Sequence, residues 1–372
     1  MKKLLKSIET RLLTLNRFHM VQLTGILICV GFLILRFEFH QDYPFGTADG
    51  KEMFLVAQDP FSRNEDIGWH RYIRILMPLT AYLSSSLVLL ILGSLSRKTV
   101  TMYMIGIVNL VAYLWATDAA KKTFQDIDNK FLFFTLFSLN PIVLITVIRG
   151  LTEPLFYAFS LSMLNSAKRN ENSVVIFALG VSLTRPDYGL FLVPFMIYEI
   201  YKKREIKFLL SMLILLSIPV LLLFFFVHFF LDVGFQEITE NTESNTSFIP
   251  FSGWINGIKE YYSLFDTTLV VIFLIIVCLT YAFFLRDLWK RRPLSSTDVF
   301  SLCLIAPIIF SAPIAFASYT SHNGRMASGA PSLYLLLQRI GERRYLKISE
   351  YTLQLIILYF VISFILVRVY VI

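Results

Sequence analysis

Apolar residues recur in long blocks parted by short basic turns, a pattern that predicts helices able to enter or cross a bilayer. The blocks fall at 21–35, 73–95, 100–117, 131–148, 153–164, 173–183, 188–201, 208–230, 267–285, 300–317, 326–337 and 351–369. Several are shorter than the roughly 20 residues of a perpendicular crossing. Short helices with polar ends imply a bundle with a water-filled cavity at one face, where broken backbone is tolerated. Ahead of them, 1–20 interleaves Lys2, Lys3, Lys6, Arg11 and Arg17 with Leu4, Leu5, Ile8, Leu12 and Leu13. That reads as a basic amphipathic helix on the cytoplasmic leaflet. No small-residue cleavage site follows the first apolar block, so a cleaved signal peptide is not expected. The prediction is an all-α polytopic transmembrane bundle, with 21–372 as a single domain and outer loops at 36–72 and 231–266.

Composition agrees with this class: 56% of residues are hydrophobic and only 16% are charged, against about 25% charged in soluble domains. The 35 Phe and 18 Tyr suit lipid-facing and interfacial positions. A net charge of +8 invites a nucleic-acid reading, but the cations sit in turns and form no folded basic patch. They serve as topology signals. If 73–95 dips into the membrane and returns, 22 of the 34 Lys and Arg residues face the cytoplasm, and the positive-inside bias favours that re-entrant or juxtamembrane hairpin over a crossing. Cys29, Cys278 and Cys303 each lie inside an apolar block, as packing residues and not a disulfide or metal set.

With that orientation the remaining polar residues gather on the outer side. The stretch 45–78 supplies Asp49 beside Gly50, Asp59 before Pro60, then His70, Arg71 and Arg74. On a helix, Arg71 and Arg74 share a face. An acid followed by two guanidinium groups offers a base for a hydroxyl and a clamp for a phosphate. Arg149, Glu153, Arg185, Asp187, His322 and Arg325 fall at the same outer ends. Each alone reads equally as a helix-end anchor; charges at membrane depth that converge on one mouth point to a site. The loop 231–266, with Glu237, Glu240, Glu243, Trp254, Tyr261 and Tyr262, reads as a solvated connector with interfacial aromatics.

The order of these features resembles the GT-C superfamily of membrane glycosyltransferases, in particular bacterial relatives of the polyprenyl-phosphate-dependent mannosyltransferases. The residues that carry the resemblance are Ala48-Asp49-Gly50, the Ala57-x-Asp59-Pro60-Phe61 run, YIRILMPL at 72–79, LTEPL at 151–155 and LTRPD at 183–187. It spans 21–201. The resemblance implies a GT-C-like fold and a donor sugar on a polyprenyl phosphate in a lipid-facing groove. It makes Asp49 the general base, Arg71, Arg74 and Arg185 the cations on the donor phosphate, and Glu153 an orienting residue for the acceptor. Asp59 is a second candidate base, and His322 and Arg325 join the acceptor side. The expected reaction is inverting transfer of a hexose to a glycan, lipid or protein acceptor of the cell envelope, outside a bacterial cytoplasmic membrane. No ER-retrieval signal is present, which fits that location.

Two departures qualify the match. Met53, with Phe54 beside it, stands where relatives carry an aromatic four positions after the acid. No Asp-x-Asp pair stands in the first loop, and Glu52 and Asp59 are too scattered to hold a metal, so a metal-independent reaction without a cofactor is expected. A Gly-rich phosphate loop is missing, which excludes a nucleotide-driven pump, and no loop is long enough for a nucleotide-sugar domain. The alternatives are a transporter or flippase of lipid-linked saccharides, against which no internal repeat is found, and a non-catalytic subunit of the same fold.

Overall fold

The computed structural model describes residues 2–39, 45, 49–64, 67–125, 130–238, 286, 290 and 294–309. The blocks predicted at 267–285, 326–337 and 351–369, most of the loop 231–266, His322 and Arg325 lie outside them. The described residues are helical, with no strand among them. In chain order they form α1 (Lys2–Phe39), α2 (Asp49–Gln58), a 3₁₀ turn (Trp69–Arg71), α3 (Leu76–Leu92), α4 (Arg97–Thr123), α5 (Lys130–Ser138) and α6 (Pro141–Ile148). Then come α7 (Glu153–Arg169), α8 (Val174–Thr184), α9 (Pro186–Phe191), α10 (Val193–Lys203), α11 (Ile206–Leu221), a π-helix (Leu222–Phe230) and α12 (Ser296–Ile309). Three helical stretches, Arg17–Glu38, Arg97–Thr123 and Ile206–Phe230, are long and apolar enough to cross a membrane.

Proline divides several of the predicted spans. The block 131–148 is two helices because Pro141 biases Asn140 out of the helical region. Pro186 ends α8, and α10 starts with Pro194 in its first turn. After Pro219 the single block 208–230 widens from α-helix into nine residues of π-helix, a form that natural proteins use sparingly. The N-terminal basic segment is no separate element: one helix runs unbroken from Lys2 to Phe39.

The hairpin expected inside 73–95 is corrected. Residues 76–92 form one helix without a reversal, because Pro78 falls in its first turn, where a missing N–H costs no helical hydrogen bond. The chain reverses at 93–96. Gly93 takes φ 23° and donates to Leu89 O at 2.9 Å, and the Ser96 hydroxyl accepts from Thr99 N at 3.2 Å, capping α4. The hairpin is therefore α3 with the head of α4.

Side-chain contacts place this hairpin at one end of the bundle. Gln22 Nε2 donates to Thr117 Oγ1 at 2.9 Å, while the Phe37 and Tyr103 rings meet at 5.3 Å, so α1 and α4 are antiparallel. Met77 and Ala81 of α3 share a core with Leu33, Phe45, Met102 and Ile105, and Arg97 lies 5.2 Å over the Tyr82 ring. Thus α3 stays at the end reached by Phe37. The turns that carry Lys121, Lys168 and Lys202 lie at the other end. There Asn165 joins α7 to α4 through Thr123 Oγ1 at 3.1 Å and Ala119 O at 2.9 Å. Lys203 and Lys207 donate to the carbonyls of Ala167 and Asn170 that α7 leaves open at its C-terminus.

Candidate functional site

Three helix ends build the site, each stopped by a local rule. The first is the α6–α7 turn. Gly150 N donates to Val147 O at 3.1 Å and Leu151 N to Thr146 O at 3.0 Å, a Schellman closure that requires the left-handed φ of 62° at Gly150. The turn delivers Glu153 to the first residue of α7, followed by Pro154. The N-terminus of α2 rests against this turn. A Cβ on Gly50 would collide with the carbonyl oxygens of Phe45 and Arg149, so glycine is what lets Asp49 sit there. Asp49 opens α2; its side chain lies outside the described residues.

The second is the break between α8 and α9. Arg185 leaves the helix at φ −143°, ψ 76°, which turns its fully buried guanidinium back onto its own neighbours. Nη2 and Nε donate to Asp187 Oδ2 and Oδ1 at 2.6 and 3.1 Å, and Nη1 donates to Glu153 Oε1 at 3.3 Å. The Tyr188 ring lies 5.1 Å from the same guanidinium. Glu153 is buried to the same degree, whereas the Asp187 side chain is 40% exposed. One cation thus joins α7 to α9 and holds a carboxylate at the surface.

The third is the turn ahead of α3. Arg71 Nε donates to Glu52 Oε2 at 2.8 Å, tying the turn to α2. Arg74 is buried, and among the described residues its guanidinium makes no hydrogen bond; Asp187 Oδ2 lies 4.0 Å from Nη2. Arg74 sits outside the spanning helices. Burial, then the like charge of Arg185, pushes its pKa down to about 9, against the pull of Asp187. Among the described ion pairs here, Arg71, Arg74 and Arg185 meet Glu52, Glu153 and Asp187.

An open apolar groove of about 350 Å³ starts beside this cluster. It is lined by Leu183, Ile218, Leu221, Phe225, Phe226 and Phe230, among others, and Leu183 precedes Arg185 by two residues. The π-helix supplies its aromatic wall, with Phe226 and Phe230 stacked at 5.5 Å.

The structure brings together Arg71, Arg74, Glu153 and Arg185 and sets the backbone of Asp49 beside them. Asp59 stands apart: it is exposed after α2, where its Oδ1 accepts from Phe61 N at 3.3 Å, an Asx turn. Glu52 and the forked grip on Asp187 are additions that sequence reasoning did not reach. The i, i+2 spacing across Pro186 was a usable signal for the second, but nothing local pairs Glu52 with Arg71. No group of three or more metal-ligating side chains occurs among the described residues. No protein-family model, curated protein or solved structure matches the chain. The described residues define an all-helical fold with membrane-spanning character and a buried cluster of ion pairs beside an apolar groove.

Proposed function

We propose that the chain is an integral membrane glycosyltransferase that moves a hexose from a polyprenyl-phosphate donor to a cell-envelope acceptor on the extracytoplasmic side. The observation that carries this reading is the adjacency of buried guanidinium groups to a groove without polar lining. A ligand with a phosphate at one end and hydrocarbon at the other meets both. In the reaction, an acceptor hydroxyl attacks the anomeric carbon, Asp49 takes its proton, and the carbon–oxygen bond to phosphate breaks with inversion. The phosphate leaves with the bonding electrons, stabilised by guanidinium groups placed where negative charge grows. Arg71, Arg74 and Arg185 form that cationic set, and Glu153 acts through Arg185. The basic turns at the opposite end support an outward-facing site, by the positive-inside bias.

A second reading, a non-catalytic subunit, is favoured by one observation: Arg71 and Arg185 are already paired with carboxylates. Radiolabelled transfer decides between them. The full chain in lipid nanodiscs is given a panel of polyprenyl-phosphate hexoses with envelope acceptors. Wild type transfers label, and Asp49→Asn falls by about a hundredfold or more with an unchanged unfolding midpoint. A wild-type rate in that variant removes Asp49 from the chemistry, and no transfer from any donor leaves the subunit reading.

A further inference from the structure

The three arginines at this end are not equivalent. Arg185 has no exposed surface and commits Nη1, Nη2 and Nε to Glu153 and Asp187, leaving little of its five-donor fork for a ligand. Arg71 commits Nε to Glu52. Arg74 is as desolvated as Arg71, yet its closest carboxylate oxygen is 4.0 Å away, beyond hydrogen-bond reach. A buried cation without a hydrogen-bonded anion is an expensive arrangement. The oxygen concerned, Asp187 Oδ2, is the one that Arg185 grips at 2.6 Å, which holds it short of Arg74.

Resting on the lipid-phosphate reading above, we propose that Arg74 is the group that engages the phosphate directly and that Asp187 is an internal anion competing with the phosphate for it. The partly exposed Asp187 carboxylate stands where a phosphate oxygen would approach Arg74. Asp187 is the carboxylate that lies against Arg74, and its charge repels an incoming phosphate. The negative charge on Asp187 therefore lowers phosphate affinity. A carboxylate present only to hold Arg185 in place would act in the opposite sense, since its removal would disorder the site.

The test uses the full chain in nanodiscs and two probes, an isoprenyl monophosphate and inorganic phosphate, titrated against wild type and variants. Asp187→Asn keeps an oxygen for Arg185 and removes the charge; it is expected to tighten binding about threefold or more. Arg74→Gln is expected to weaken it about tenfold or more, with Arg74→Lys in between because it keeps charge and loses the fork. Tightening of the isoprenyl probe alone assigns the site to a lipid phosphate; tightening of both assigns it to phosphate itself. Unchanged or weaker binding of both probes to a folded Asp187→Asn overturns the proposal. Should that variant not fold, Asp187→Glu carries the test, because a longer carboxylate reaches closer to Arg74 and is expected to weaken binding; unchanged or tighter binding there overturns it too. Neither titration needs sugar transfer, so a failure of the glycosyltransferase reading is seen separately in the label assay.

Discussion

Arg185 grips Asp187 across a single residue, Pro186, with hydrogen bonds of 2.6 and 3.1 Å, while a third donor reaches Glu153 at 3.3 Å. The proline makes this possible. By ending α8 it frees Arg185 from helical dihedrals, and the side chain can then fold back on a residue two ahead and one thirty-two behind. A helix running through 183–188 would point Arg185 and Asp187 to different sides.

That shared cation is expected to carry stability as well as chemistry. Arg185→Lys offers one ammonium where two carboxylates share a fork, so the hold on Glu153 or on Asp187 is given up. The expected loss is about 3–5 kcal/mol, read as a lower unfolding midpoint in detergent. Glu153→Gln keeps an acceptor for Nη1 and should lose less. Equal midpoints for wild type and Arg185→Lys would show that the pair does not hold α7 to α9.

The two turn glycines separate conformation from crowding. Gly150 takes φ 62°, and a Cβ there would stand 2.8 Å from Ile105 and from Phe45. Gly93 takes φ 23° with open space around it. Gly150→Ala should cost about 1–3 kcal/mol for backbone strain with a packing penalty added. Gly93→Ala should cost visibly less in the same denaturation assay. If the two match, the tight seat of the 149–153 turn is not what glycine is needed for.

Most of the helices were legible in the sequence because hydrophobic blocks report burial in lipid or core whatever the partner. The break at Pro186 was legible, since the blocks 173–183 and 188–201 part there, but the break at Pro141 was not, because apolar runs flank it on both sides; the hairpin was placed inside 73–95 because the positive-inside count fixes the side on which a segment ends and not where the chain turns. The site was half legible. Arg71, Arg74, Glu153 and Arg185 stood out as charges in an apolar chain. Their pairing did not, since Glu52 and Arg71 are joined by a loop fold, and Glu153 and Arg185 by the packing of α7 on α8. Neither leaves a local periodicity to read.

At the opposite end, Glu205 accepts from Asn170 and pairs with Lys207 at 2.6 Å. The Lys207 and Asn170 hydrogen bonds hold its pKa below the ordinary glutamate value. A depressed carboxylate pKa means that the link contributes fully above the unfolded value and is lost as pH falls through the folded one. Carbon-13 NMR of the Glu205 carboxyl should record that low midpoint. Lys207→Ala should return it toward the ordinary value; an unmoved midpoint would show that Lys207 does not set it.

The groove gives the sharpest separation between the two halves of an amphipathic donor. Leu183, Ile218, Phe225, Phe226 and Phe230 all line it, and Ile218 is only half-buried, so a larger side chain there can fill the space without entering the core. Ile218→Trp is therefore expected to leave the unfolding midpoint close to wild type, since a partly exposed apolar exchange changes stability little. If a hydrocarbon chain occupies the groove, the same substitution removes its seat. Each methylene expelled forfeits about 0.8 kcal/mol, so even two lost contacts should raise the KM for a long-chain polyprenyl-phosphate donor by about tenfold. A short-chain isoprenyl donor, which reaches Arg74 without filling the groove, should be affected far less. Identical losses for long and short donors would place the lipid elsewhere, and the apolar wall built by the π-helix would then belong to the bilayer alone.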